Sequence, residues 1–384
     1  MFRLTLLFSI LSLIFVSCSD SNSIHLDKNE PSIPKRIKVG AYYFGGWAGI
    51  NALSEHPDEQ IWAKDAPNAL TRKMYYDFSD REPKWGWRDD SIKIMEQQID
   101  LAADNGIDFF MFCWYWCDDK KSINPKKIDS HSLHSCIDLY MKASNRKRIK
   151  FGILIANHQG AEIIGSENWS ETVRYLSKYF KDEQYIKIDY RPYVAIFNAN
   201  GLDQEGRDAM QQTAISMGID SLSIVACGST PNSKKYEYRT HYNAIPVGDN
   251  NGQPERDYDE LVQITEQEWV VTNQPYIPSV SVGWDPRPWQ ENSDDGLADN
   301  TGYYYVNNTP QKFKQSLLRA AEWVEANPQA TVKEKMVMIY AWNELGEGGF
   351  LVPNENNKNG QHLKMIKEVV FSESNYSNNQ ATTK

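Results

Sequence analysis

The chain has 384 residues, a formal net charge of −10 and an aromatic content of 12% that includes 12 Trp and 21 Tyr. No basic stripe appears anywhere, which argues against a nucleic-acid partner, and the acidic balance disfavours polyanionic substrates unless a local basic pocket receives them. The length exceeds the usual single-domain mode but is within reach of a barrel with long loops.

At the N-terminus Arg3 precedes an apolar run of thirteen residues, 4–16, broken only by Thr5, Ser9 and Ser12. A bilayer-spanning helix needs about 20 residues, so the run fits the apolar segment of a signal peptide instead. It ends Phe15-Val16-Ser17-Cys18, which resembles a bacterial lipobox. The expectation is a signal peptide over 1–17, a lipidated Cys18 and an exported, membrane-anchored chain. Ser19 favours the outer membrane. Residues 18–35 are polar, carry two prolines and read as a solvated tether.

From 36 to 371 strand and helix signals alternate eight times. Strand 37–44 (IKVGAYYF) is followed by a long loop and a helix over 90–103. Strand 107–116 (IDFFMFCWYW) precedes a helix at 132–143, and strand 150–157 (KFGILIAN) one at 169–181. Strand 192–198 (PYVAIFN) leads to a helix at 204–217, and strand 222–227 to only a weak one. A sixth strand is expected at 243–247, before a helix over 258–271. Strands 277–284 (IPSVSVGW) and 335–342 (KMVMIYAW) precede helices at 311–326 and 362–371. Residues 372–384 form a polar tail.

Several strands are apolar on both faces, as parallel strands sandwiched between a core and covering helices must be. Eight such units predict a (β/α)8 TIM barrel. An open doubly wound sheet usually carries a glycine-rich phosphate loop after its first strand, and here that position reads Phe44-Gly45-Gly46-Trp47. The body cysteines Cys113, Cys117, Cys136 and Cys227 match no zinc spacing, so neither metal nor other cofactor is called for.

In such barrels the loops after the strands build the active site. Two of them, 48–89 and 285–309, are long and rich in aromatic residues, among them Trp62, Trp85, Trp87, Trp289 and Tyr303 to Tyr305. Directly after the last strand comes Ala341-Trp342-Asn343-Glu344-Leu345-Gly346-Glu347-Gly348-Gly349. Alternation over 336–344 places Met338, Tyr340, Trp342 and Glu344 on one face, with Glu344 at the strand's C-terminal lip. The glycines permit a tight turn that returns Glu347 towards Glu344. Two crowded carboxyls drive their pKa values apart, and glycoside hydrolysis needs one protonated and one ionised. The bland alternative is a capped turn beside a solvated loop charge.

This motif resembles the W-N-E-W-x-E-G signature of glycoside hydrolase family 99 and of its WbsX-like relatives. Supporting matches are Gly86-Trp87, the 106–116 segment, 185–189 and Gly283-Trp284-Asp285-Pro286-Arg287-Pro288-Trp289. The resemblance implies a (β/α)8 barrel and, for family 99 proper, retaining endo-hydrolysis of α-mannosides. There the first glutamate is a base on the sugar 2-hydroxyl and the second a general acid, then base; those roles fall on Glu344 and Glu347. Leu345 and Gly346 stand where family 99 has Trp and His, so the chain looks closer to the WbsX-like branch.

Candidate sugar contacts at strand ends and in loops are Tyr42, Tyr43, Trp87, Trp116, Asn157, His158, Trp284, Asp285, Trp342 and Asn343, since aromatic faces stack on sugars and polar tips orient hydroxyls. Core packing is the competing reading for each. His131 and His134 read as a solvated face, Arg287 as a clamp on its loop, and Asp257-Tyr258-Asp259 as a helix cap. The expected partners are an oligo- or polysaccharide and, through Cys18, a membrane. Three activities remain open: a glycoside hydrolase, a WbsX-like glycosyltransferase, and a non-catalytic glycan-binding lipoprotein.

Overall fold

The computed structural model describes residues 35–55, 60–116, 124–228, 236–246, 252–271, 274–289 and 303–372. The expected signal peptide, Cys18, the tether up to 34, Cys117 and the tail from 373 lie outside the described residues. At residue 35 the chain is already docked: Lys35 Nζ donates to Gly106 O at 3.1 Å, and Arg36 pairs with Glu325 at 2.8 Å.

Eight parallel strands form the barrel: β1 Lys38–Tyr43, β2 Ile107–Trp114, β3 Lys150–Ile155, β4 Arg191–Ile196, β5 Ser223–Cys227, β6 Tyr238–Thr240, β7 Ser279–Ser281 and β8 Met336–Tyr340. They pair in the order β6-β5-β4-β3-β2-β1-β8-β7. The ring closes where Arg239 of β6 bridges Tyr276, just ahead of β7, with Ile277 N donating to Arg239 O at 2.8 Å.

Period-two alternation sorts the strand side chains. Tyr42, Phe109, Met111, Cys113, Leu154, Tyr193, Ala195, Met338 and Tyr340 fill the barrel, whereas Val39, Phe110, Phe112, Ile153, Val194, Val337 and Ile339 meet the helices. Among the described residues, seven helices of eight residues or more surround the ring: α1 Ile92–Asp104, α2 Ser135–Lys142, α3 Ser166–Phe180, α4 Gln204–Ser216, α5 Tyr258–Val271, α6 Pro310–Ala326 and α7 Gln361–Val370. Their starts follow local chemistry. The Ser91 side chain accepts from Ile94 N at α1, Asp203 from Gly206 N at α4 and Thr309 from Lys312 N at α6, with Pro310 in the first turn.

Three expectations need correction. The sixth strand is Tyr238–Thr240 and not 243–247. Arg239 at its centre breaks the apolar run that a sequence reader counts, yet it is a barrel strand residue that reaches Glu268 at 3.9 Å. Pro246, in the expected strand, has no N–H for a ladder. Strand β8 ends at Tyr340, two residues before the expected 342. Finally, His134 is buried: it accepts from Tyr115 N at 3.0 Å, and its ring stacks on Trp114. Burial pushes its pKa down to about 4, so it is a neutral structural group. The Asp257 reading holds, since its carboxylate accepts from Asp259 N at 3.0 Å where α5 begins.

Candidate active site

The two candidate glutamates sit at the C-terminal mouth of the barrel, on the turn that follows β8. After Tyr340 the chain leaves the barrel ladder, and Asn343–Glu344 pairs antiparallel with Gly349–Phe350 as a small hairpin. Within it Glu347 N donates to Glu344 O at 3.2 Å, the tight turn that the glycines were expected to allow. Each glycine has a steric reason. A Cβ on Gly346 would lie 1.3 Å from Trp289 Nε1, and Gly348 adopts φ +77° while packed on the Asp285 backbone.

Both carboxylates line one cavity of about 290 Å³ together with Phe44, Cys113, Tyr115, Leu133, Leu154, Ala156, His158, Phe197, Tyr242 and Trp289. Tyr242 donates its hydroxyl to Glu344 Oε1. Tyr340 donates to Glu347 Oε2 at 2.5 Å. Glu344 Oε2 is buried and has no hydrogen-bond partner among the described residues, nor has Trp289 Nε1.

Burial sets the electrostatics. It lifts Glu344 well above the ordinary carboxylate range; the neighbouring charge of Glu347 lifts it further, and the Tyr242 hydroxyl opposes both. Burial likewise pushes Glu347 up to about 7, with Tyr340 opposing. Two such groups titrate as a pair, which keeps a proton on the site near neutral pH. Behind the cavity, Asp89 is pushed by burial to about 7 as well and accepts from Tyr43 Oη at 2.9 Å.

The sequence-derived site residues separate into three groups. Glu344, Glu347 and His158 line the cavity. Trp284 and Asp285 line a neighbouring polar recess instead, with Arg81, Asn308, Asn354 and His362. There Asp285 is paired with Arg81 and Arg287, and its N–H donates to Glu347 O at 2.6 Å. Asp285 thus braces the turn that carries Glu344 and Glu347, and Arg287 is the clamp that was expected.

The remaining residues are structural where they stand. Tyr42 is fully buried inside the barrel and donates to His241 O at 3.1 Å, below the cavity. Tyr43 faces the helices. Trp87 and Trp116 are buried in the outer core, Trp87 beside Trp47 at 6.1 Å between ring centroids. Asn157 fastens the ends of β3 and β4 through Asn198, at 2.8 and 2.9 Å. Asn343 exchanges two 2.8 Å bonds with the Phe44 backbone. Trp342 does not share the face of Tyr340 and Glu344: its indole donates to Gln98 of α1 at 2.6 Å, on the outside of the barrel. The alternation that placed it inward stops where β8 stops.

Sequence reasoning missed Tyr242, Phe44, Tyr115, Leu133, Leu154, Ala156 and Phe197. Tyr242 had a usable signal, since it lies two residues past the true end of β6; the misplaced sixth strand concealed it. The apolar residues had none, because strand-end Leu, Ala and Phe look like core.

A family model described as "Glycosyltransferase WbsX" matches residues 86–366. Two curated relatives from Xanthomonas campestris pv. campestris, both called "Uncharacterized protein WxcX", are 21% identical over 293 residues, or 68% of this chain. The chain spans 39% of the length of those relatives. A solved "Glycoside hydrolase-like protein" matches with TM-score 0.58 at 16% identity, over 88% of this chain and 95% of that one. The GH99 endo-alpha-mannosidase from Bacteroides thetaiotaomicron matches with TM-score 0.54 at 12% identity, over 90% and 98%. At these identities the likeness is one of fold.

Proposed function

The chain belongs to the family described as "Glycosyltransferase WbsX", and we propose that it works as a glycoside hydrolase that cleaves an oligo- or polysaccharide with Glu344 and Glu347. One observation carries the reading. Two acidic side chains from a single turn, Glu344 buried and Glu347 half-buried, line one cavity at the barrel mouth, each with an oxygen held by a tyrosine hydroxyl.

The chemistry follows from that arrangement. The pair shares a proton near neutral pH, and by resemblance to family 99 it is Glu347 that gives this proton to the glycosidic oxygen as the bond to the anomeric carbon breaks. Glu344, its carboxylate oriented by Tyr242, takes the proton of the sugar 2-hydroxyl while that oxygen bonds to the anomeric carbon from the face opposite the leaving group. Glu347, now ionised, then removes a proton from the incoming water, whose oxygen displaces the 2-oxygen from the anomeric carbon while Glu344 returns the proton to it, and after two displacements the product retains its configuration. The likeness to family 99 supports retention; Leu345 and Gly346, which differ from that family, leave the sugar itself to be assigned by assay.

The family description favours a second reading, transfer from an activated donor. Two carboxylates lining one cavity make a poor seat for a sugar diphosphate, because like charges repel where solvent screening is weak. The lipobox-like Cys18 supports an exported, outer-membrane lipoprotein, a compartment without cytoplasmic nucleotide sugars. Incubation with a glycan panel and, separately, with nucleotide sugars tests the choice. Released saccharide from glycans supports hydrolysis, and donor turnover without glycan cleavage refutes it.

A further inference from the structure

We infer that the sugar bound against Glu344 and Glu347 is a 6-deoxyhexose, with its methyl group seated on an apolar wall across the cavity. This rests on reading the cavity as the sugar-cleaving site.

The cavity is two-sided. Its acidic side comes from β6 to β8 and the loops after them: Tyr242, Trp289, Glu344 and Glu347. In an eight-stranded ring the ends of β2 to β4 lie across the mouth from these, and they supply Cys113, Leu154, Ala156 and Phe197. Leu133, from the segment after β2, extends the same wall. Cys113, Leu154 and Ala156 are buried, so they form a floor and not a rim. The hydroxyl closest to that floor is already engaged, since Tyr242 Oη lies 3.7 Å from Cys113 Sγ while donating to Glu344. His158 and Tyr115 stand beside the wall with their rings 5.7 Å apart.

A pyranose in this cavity needs polar partners on the side of the scissile bond and finds both carboxylates there. At the floor of the opposite side, against Leu154, Ala156 and Phe197, an exocyclic hydroxymethyl group would leave water for side chains that carry no oxygen or nitrogen, with Tyr115 and His158 beside them as the polar groups of that side. A methyl group loses no hydrogen bond there and gains apolar contact. An apolar pocket separates ligands that differ by one such group by factors of about 10 to 100.

The test uses pairs of 4-nitrophenyl glycosides that differ only at C6, such as rhamnoside and mannoside, fucoside and galactoside, quinovoside and glucoside, in both anomers. For any pair turned over, kcat/KM should be at least about 10-fold higher for the 6-deoxy member. Leu133→Asn, at a partly exposed position, should lower that ratio below about 3-fold while the melting temperature stays near wild type. Equal rates, a preference for the hydroxymethyl sugar, or an unchanged ratio in Leu133→Asn overturns the inference and leaves hydrolysis standing. In parallel, saturation-transfer NMR on Glu347→Gln reads binding of the free sugars without turnover. Selective signals from 6-deoxyhexoses support the inference even if no glycoside is cleaved, a result that removes only the hydrolase reading. Equal signals from the parent hexoses, or signals from neither set, overturn it.

Discussion

Tyr242 donates its hydroxyl to Glu344 across 102 residues of sequence, joining the end of β6 to the turn after β8. The bond orients a carboxylate whose other oxygen is buried without a partner among the described residues. It also lowers the pKa of Glu344 against the burial that raises it.

Tyr242→Phe removes that restraint without changing the ring. Hydrogen bonds to charged groups contribute about 1.5–3 kcal/mol, so kcat/KM should fall on the order of 10- to 100-fold with little loss of stability. Because the bond opposes protonation, its removal raises the Glu344 pKa, and the acid limb of the pH–rate profile should move to higher pH. An unmoved limb with full activity would separate Tyr242 from the chemistry.

Gly346→Ala should act through Trp289. A Cβ at 346 would stand 1.3 Å from the indole nitrogen, so the ring must leave its seat beside both glutamates. Overpacking of this kind costs about 1–3 kcal/mol. The expected outcome is a lowered melting temperature, a shifted tryptophan emission maximum and a loss of activity larger than the stability change explains.

Asp89 carries a stability prediction. Its folded pKa, about 7, stands above the ordinary 3.8, so the folded state holds a proton that the unfolded chain has released. Stability therefore falls as pH rises from about 4 to 7, by at most about 1.4 kcal/mol per pH unit for this group, and Glu344 and Glu347 act in the same direction. Asp89→Asn keeps an acceptor for Tyr43 and removes the ionisation. Its melting temperature relative to wild type should be higher at pH 8 than at pH 5; equal differences at the two pH values contradict the assignment.

Much of the barrel was legible because its signals are local. Apolar runs marked seven of the eight strands, and 3.6-residue periodicity marked the helices that Ser91 and Thr309 prove to cap. β6 escaped because Arg239 sits in the middle of three residues, and with it went Tyr242. Glu344 and Glu347 were readable because glycine spacing implies a turn. Trp342 and Asn343, in the same motif, point elsewhere once β8 ends, and period-two counting carries no notice of where a strand stops. Tyr42, Tyr43, Trp87 and Trp116 are the residue types that stack on sugars, yet these four are buried in the core. The apolar wall of the cavity is a property of the closed ring, and no short window of sequence contains it.

The catalytic proposal meets its most direct test in Glu347→Gln, assayed on two substrates that share a sugar and differ in leaving group. Loss of the proton donor should slow cleavage of an unactivated glycosidic bond by about 10²- to 10⁴-fold, while a 2,4-dinitrophenyl glycoside, which departs without protonation, stays within about 10-fold of wild type in its first turnover. Equal loss on both substrates, or no loss on either, would contradict the role of Glu347 as the acid of a paired-carboxylate hydrolase.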